Sequence, residues 1–88
     1  MKNQEVAKIF REIAKILELK EDNPFRIRAY EKAAYNIESL GKDLETLAKE
    51  DKLTKIPGIG EDLASKIKEI LNTGTLKYYE ELKKEIPP

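Results

Sequence analysis

This chain contains no cysteine, no histidine and no tryptophan among its 88 residues. Without cysteine it has neither a thiolate nucleophile nor a zinc–thiolate site. Without histidine it lacks the commonest general base and metal ligand. Any catalysis must therefore rest on lysine, tyrosine or carboxylate side chains.

Net charge is also missing, because 17 lysine and arginine residues balance 17 aspartate and glutamate residues. A protein that coats nucleic acid by charge alone would be basic, so nucleic-acid binding here would need a local arrangement and should be weak and salt-sensitive. No run approaches the roughly 18 apolar residues of a membrane span, and the first residues lack the apolar core of a signal peptide. We therefore expect a cytoplasmic protein without membrane contact.

Apolar residues recur at helical spacing, and no stretch alternates as a β-strand does. The pattern predicts helices over residues 3–19, 24–39, 43–51 and 61–72, and a last helix that begins after residue 75. Asn23, Asp43 and Thr75 are the expected N-caps, and Gly41 and Gly74 the expected stops. The predicted fold class is all-α, a compact bundle of four to five short helices in a single domain over residues 1–88.

A glycine hairpin, Ile-Pro-Gly-Ile-Gly at residues 56–60, lies between two of these helices. Pro57 pre-sets a turn φ, while Gly58 and Gly60 can adopt positive φ and carry no Cβ to block close approach. The hairpin opens directly into a helix, whose N-terminal amides and macrodipole favour an anion. We expect that anion to be a DNA phosphate, and the alternative is a plain interhelical turn. Nearby positive charge comes from Lys52, Lys55, Lys66 and Lys68.

Three segments, 23–34, 56–60 and 73–82, resemble in the same order the N-terminal domain of family X DNA polymerases of bacteria and archaea, with DNA polymerase beta a distant relative. The resemblance implies a helix-hairpin-helix domain that binds gapped or 5′-recessed DNA in base-excision repair, without reading its sequence. A nucleotidyl-transfer domain would follow, and residues 86–88 would be a boundary inside a longer polymerase.

The resemblance also assigns roles to single residues. Arg26 and Tyr30 would line a pocket for a 5′ phosphate, although Tyr30 also lies on the apolar stripe and could be core. The expected DNA contacts are Arg26, Tyr30, Lys55, Gly58, Ile59, Gly60, Lys66 and Lys68. A monovalent cation, Na⁺ or K⁺, would bind the backbone carbonyls of Thr54, Ile56 and Ile59. Of the adjacent Tyr78 and Tyr79, one is expected in the core and stacking on a base is the alternative.

Lys66 falls at the position of the family's Schiff-base lysine. In deoxyribose-phosphate lyase chemistry a neutral amine attacks C1′ of an abasic sugar, and β-elimination then expels the 3′ phosphate oxygen without any metal. Asp62, four residues earlier, would pair with Lys66 and favour its ammonium form, and Glu61 and Asp62 together repel phosphate. We therefore expect DNA binding with weak or lost lyase activity. A competent lyase and a helical scaffold without DNA activity are the alternatives, and a monomer is expected in each case.

Overall fold

The computed structural model describes residues 2–86, and every regular element in that range is helical. The five α-helices are α1 Asn3–Leu19, α2 Pro24–Glu38, α3 Leu44–Lys49, α4 Glu61–Thr73 and α5 Lys77–Lys84. A 3₁₀ turn, Leu53–Lys55, which the sequence pattern did not predict, leads into the hairpin. The predicted all-α class is confirmed. Residues 87 and 88 of the predicted boundary, like residue 1, lie outside the described range.

The core forms around α1, whose apolar face is almost completely buried. Phe10, Ile13 and Leu17 are each at most 1% exposed. α2 packs chiefly against α1, and Ile67 of α4 and Leu76 before α5 complete the same apolar cluster. Burial of each such side chain contributes about 1.5–3 kcal/mol, which is how a chain without disulfides holds its helices. Within residues 2–86 no helix is long and apolar enough to cross a membrane.

Two of the three predicted N-caps are confirmed. The Asn23 side chain accepts a hydrogen bond from the Phe25 amide at 2.8 Å, and the Asp43 side chain accepts one from the Glu45 amide at 3.1 Å. The prediction for Thr75 is wrong, because α5 begins one residue later and its N-cap is Leu76, with no side-chain cap. Instead, the Lys77 amide of α5 donates to Glu69 of α4 at 2.6 Å. A tertiary contact therefore replaces the expected local cap.

Of the two predicted glycine stops, one is confirmed and one is wrong. Gly74 ends α4 with φ +79°, as predicted. Gly41 does not end α2, which stops at Glu38. There the Ser39 amide bonds back to the carbonyls of Tyr35 and Ile37, so no left-handed residue is needed. The left-handed positions after α1 and α3 are held by Glu21 and Asp51, which glycine-based reasoning does not identify.

Candidate functional site

The glycine hairpin forms a closed turn. The Ile59 amide donates to the Ile56 carbonyl at 3.0 Å, and Gly58 has φ +85°. With Pro57 before it, this is the pattern of a type II turn, which requires glycine or asparagine at the third position. Gly60 differs from the expectation of positive φ: its φ is −92° and its ψ −171°, an extended conformation open to any residue.

α2 holds the hairpin from one side. The Asn36 side-chain amide donates to the Pro57 carbonyl at 2.7 Å. A Cβ built on Gly58 would lie 3.4 Å from Asn36 Nδ2 and 3.6 Å from Lys32 Cγ. The Lys32 stem therefore runs beside the hairpin and brings a cation that sequence analysis did not assign to it. No sequence pattern places Lys32 near the hairpin, because its position depends on how α2 packs against the turn.

α4 starts directly after the hairpin, and no side chain caps it. Gly60 is its N-cap and offers no side-chain acceptor. The first amide bonded into the helix is that of Ala64, which donates to the Gly60 carbonyl at 2.9 Å. The preceding amides of α4 have no helical partner, as at any helix start. They are therefore available to an external acceptor, and an anion suits them best.

A second group of polar residues lies where α2, α4 and α5 meet. We call it the cation cluster and define it as Arg26, Tyr30, Asp62, Lys66 and Tyr78. The Arg26 side chain is half exposed, donates to the Tyr78 hydroxyl at 2.5 Å and lies 3.6 Å from Asp22. The sequence predicted Arg26 and Tyr30 as a phosphate pocket and Lys66 as a DNA contact and candidate nucleophile, and the fold brings all three against Tyr78.

Lys66 is the more enclosed of the two cations. Its side chain is only 18% exposed, and its ammonium donates to Asp62 at 2.8 Å, as the spacing of these residues predicts. Asp62 is 80% exposed, so the carboxylate lies on the solvent side of the lysine. The Lys66 ammonium also lies 5.1 Å from the centre of the Tyr78 ring, within cation–π range. An incoming phosphate would have to compete with Asp62 for this ammonium.

Tyr30 lies at the bottom of the cation cluster and is only 4% exposed. Its ring stacks on Tyr78 with centres 6.4 Å apart, and meets Phe10 edge-on at 5.5 Å. Burial raises the pKa of the Tyr30 hydroxyl, nearby Tyr78 and Asp62 raise it further, and Arg26 opposes them. The hydroxyl therefore remains a protonated donor. Tyr30 is therefore a core residue, and its contact with a phosphate remains a prediction.

The remaining predicted contacts lie apart from the cation cluster. Lys55 ends the 3₁₀ turn and is exposed. Lys68 lines a small cleft of about 120 Å³ with residues of α3, including Lys49. Ile59 is 4% exposed and uses its amide within the turn, so only its carbonyl could serve a ligand. These roles remain predictions.

The proposed cation site also remains a prediction. Of its three carbonyls, that of Ile56 already accepts the hydrogen bond that closes the turn, and a carbonyl oxygen keeps a second lone pair. Backbone carbonyls suit hard cations. Within residues 2–86, no group of three or more acidic side chains could hold a metal ion instead.

Tyr78 is the residue of the cation cluster that sequence reasoning did not assign to the phosphate pocket. The sequence predicts it only as a core residue or as a platform on which a base stacks. Its side chain is half-buried and contacts both Arg26 and Lys66. The three residues come from three helices, and the contact between α2 and α5 spans 52 positions of sequence. No local periodicity encodes such a contact.

Comparison with known proteins agrees with this geometry. A helix-hairpin-helix domain model matches residues 1–76. The chain belongs to the helix-hairpin-helix domain family. It is also 36% identical over 87 residues to the "DNA polymerase/3'-5' exonuclease PolX" of Bacillus subtilis (strain 168).

That alignment covers 99% of this chain and 15% of the relative, in its N-terminal region. The resemblance to the N-terminal domain of family X polymerases is therefore confirmed. The chain spans less than a sixth of the length of this relative, so the relative's remaining parts have no counterpart in these 88 residues.

Proposed function

We propose that this domain binds the DNA backbone, without sequence preference, as the N-terminal part of a family X repair polymerase. The observation that carries the proposal is the uncapped start of α4 directly after the Gly58 turn. Such a start offers amide donors and a favourable dipole to a phosphate. Phosphate contacts fix a protein on DNA but carry no base information, which fits a repair factor that must act at any sequence.

The cation cluster supports a finer proposal, that the domain holds the 5′ phosphate at a gap or a recessed end. Arg26 and Lys66 supply two positive charges, and Tyr30 supplies a protonated hydroxyl. Arginine can hold a phosphate through two parallel hydrogen bonds. A terminal phosphate carries more charge than one within the strand, so two cations favour it.

Fluorescence anisotropy tests both proposals on the domain. The probe is a labelled duplex with a one-nucleotide gap, prepared with either a 5′ phosphate or a 5′ hydroxyl on the downstream strand. We expect binding at low salt that weakens as salt rises, and tighter binding of the phosphorylated duplex. No detectable binding at low salt would favour a helical scaffold without DNA activity. Equal binding of both duplexes would leave backbone binding and reject the 5′-phosphate pocket.

A second candidate function is the deoxyribose-phosphate lyase. Two observations favour it: Lys66 lies at the position of the family's Schiff-base lysine, and its side chain is only 18% exposed, so the amine lies in a sheltered site. The Asp62 contact at 2.8 Å opposes this, because it directs the Lys66 nitrogen towards a carboxylate and away from a sugar aldehyde. We propose that lyase activity is weak. Borohydride trapping on a 5′ abasic end, compared between the wild type and Lys66→Ala, tests this, and efficient wild-type trapping would reject the weak-lyase proposal.

A monovalent cation at the carbonyls of Thr54, Ile56 and Ile59 would bridge the hairpin to a DNA phosphate. The test is the DNA affinity in NaCl or KCl against tetramethylammonium chloride at equal ionic strength, because the organic cation is too large for such a site. We propose tighter binding in NaCl or KCl. Equal affinities in all three salts would reject the cation bridge while leaving hairpin binding intact.

A further inference from the structure

Tyr78 of α5 contacts every other member of the cation cluster that could hold a phosphate. Its hydroxyl accepts a hydrogen bond from Arg26 Nη2 at 2.5 Å. Its ring lies 5.1 Å from the Lys66 ammonium and stacks on Tyr30 at an interplanar angle of 19°. The Tyr78 side chain thus links α5 to Arg26 of α2, to Lys66 of α4 and to the buried ring of Tyr30.

We propose that Tyr78 is a positioning residue for the 5′-phosphate pocket, and that it acts by holding Arg26 and Lys66 in place. This inference rests on the proposed function, because it needs a phosphate that the two cations share. It assigns Tyr78 no chemistry on the DNA. Its effect should appear as affinity for a phosphorylated 5′ end and not as affinity for the DNA backbone in general.

The hydroxyl of Tyr78 restrains Arg26 in a way that a carboxylate could not. The Arg26 side chain is half exposed and would otherwise sample many rotamers. Asp22, at 3.6 Å, also holds it but cancels its charge. The phenol oxygen is a neutral acceptor, so it fixes the guanidinium while leaving the positive charge for a ligand.

The ring of Tyr78 has a similar effect on Lys66. A cation–π contact attracts the ammonium without occupying a hydrogen-bond acceptor. Lys66 has three N–H donors, and one of them bonds to Asp62. Two donors therefore remain for a phosphate, and the ring restricts where they can point. The centre of the Arg26 guanidinium is 6.0 Å from the ring centre, at the limit of such contacts, so Arg26 is held mainly through the hydroxyl.

Tyr78→Phe separates this role from simple packing. The variant keeps the ring, and so keeps the stacking on Tyr30 and the contact with Lys66, but it loses the acceptor for Arg26. With the gapped duplexes described above, we expect about a fivefold loss of affinity for the 5′-phosphorylated end, the size of one lost hydrogen bond. Affinity for the 5′-hydroxyl duplex should stay within twofold of the wild type.

Tyr79→Phe is the matched control. Tyr79 is the next residue of α5, and its hydroxyl bonds to Glu12 of α1, outside the cation cluster. The Tyr79→Phe variant removes a phenol oxygen from the same helix, and it should leave the preference for the 5′ phosphate unchanged.

A double-mutant cycle tests whether Tyr78 acts through Arg26. In an Arg26→Ala background, Tyr78→Phe should change phosphate-end affinity by less than twofold, because the group it positions is gone. A fivefold loss in both backgrounds would overturn the inference, as would unchanged affinity in Tyr78→Phe alone. A wild type that shows no preference for the phosphate would instead reject the 5′-phosphate pocket, and with it this inference.

Side-chain NMR of the wild-type domain without DNA gives a second readout. A guanidinium held by the Tyr78 hydroxyl should rotate slowly enough to give separate Nη signals for Arg26, and these signals should merge in Tyr78→Phe. If Tyr78→Phe fails to fold, the wild-type spectrum decides alone. A single averaged signal would overturn the inference, and resolved signals would support it.

Discussion

The first turns of α2 and α4 differ in how they treat the backbone amides that have no partner within the helix. At α2 the Asn23 side chain accepts from the Phe25 amide at 2.8 Å, and Pro24 removes another donor from the first turn. At α4 the N-cap is Gly60, which has no side chain to accept a hydrogen bond from the first amides of the helix. Glycine at an N-cap costs only a few tenths of a kcal/mol relative to a capping side chain. α2 therefore caps its own N-terminus, whereas the first amides of α4 are left without a capping side chain at little cost in stability.

The two cations on these helices, Arg26 and Lys66, differ in how tightly each is paired with a carboxylate. Arg26 and Lys66 each pair with an aspartate four residues earlier, Asp22 and Asp62. The Arg26 pair is loose, at 3.6 Å with half of the arginine exposed, and the Lys66 pair is tight, at 2.8 Å with the lysine largely covered. Arg26 is therefore the readier phosphate ligand. The Lys66 ammonium is closely paired with the Asp62 carboxylate, which weakens its attraction for a phosphate.

The largest expected effect comes from Gly58→Ala, which damages the turn that leads into α4. A Cβ at φ +85° is strained, and it would also meet Asn36 at 3.4 Å. We expect a loss of about 1–2 kcal/mol in unfolding free energy and at least a tenfold loss of DNA affinity, measured by thermal unfolding and anisotropy. Gly41→Ala is the control, because nothing lies within 4 Å of its added Cβ and its φ is not positive. Equal effects at both glycines would refute the special role of the turn.

Asn23→Ala removes the N-cap of α2, a helix start for which we propose no ligand. We expect a loss of about 1 kcal/mol, because the Phe25 amide loses its acceptor, and a fall in the melting temperature of about 4–8 °C for a domain of this size. Affinity for gapped DNA should change little once the domain is folded. Asn23→Ser, which keeps a capping oxygen, should stay close to the wild type. A large loss of affinity at a temperature where Asn23→Ala is folded would show that α2 contributes its terminus to binding.

Asp62→Asn breaks the tight ion pair of α4. It removes the carboxylate that competes for Lys66, so DNA affinity should rise about two- to fivefold, measured by anisotropy at low salt. Glu61→Gln is the matched control, since it removes one charge from the same helical turn without breaking the Lys66 pair. Equal gains in both variants would mean that only overall charge matters. A loss of affinity in Asp62→Asn would contradict the competition.

The smallest effect is expected at the far end of α2, where Glu38 accepts a hydrogen bond from Arg11 of α1. This bond holds the pKa of the Glu38 carboxyl below its usual 4.5. The contribution of this pair to stability is therefore present above about pH 4.5 and disappears as the pH falls through the lower folded-state pKa. Glu38→Gln should lower the melting temperature slightly at pH 7 and not at pH 3. Glu31→Gln, which removes one acidic side chain from the same helix and leaves the Arg11–Glu38 pair intact, is the matched control. A difference that persists at pH 3 would rule out this linkage.

The sequence predicted most of the fold because its signals are local. Apolar spacing identified the helices, Asn23 and Asp43 identified two starts, and Gly74 identified one end. The failures came where a contact from another element took over. Glu69 of α4 replaces the expected cap of α5, and Ser39 makes the expected glycine stop unnecessary.

The candidate site also contains residues that local patterns predict and residues that only helix packing places. Arg26 and Tyr30 share a helix face, and Lys66 follows the hairpin at fixed spacing, so local patterns and family resemblance could place all three. Lys32 and Tyr78 reach the site only through packing between helices. Their contribution could not be predicted from periodicity, because no short-range pattern specifies which faces of α2, α4 and α5 meet.

Gly60→Ser tests most directly whether α4 keeps its first amides for DNA. The added Cβ meets nothing within 4 Å, and the backbone already has the extended conformation of a capping residue. A serine there should cap α4 in cis, raise the melting temperature by a few degrees and lower affinity for gapped DNA about two- to fivefold. Gly41→Ser, which adds the same side chain shortly before α3, a helix that Asp43 already caps, should do neither. A Gly60→Ser domain that melts higher and binds DNA as tightly as the wild type would contradict the account.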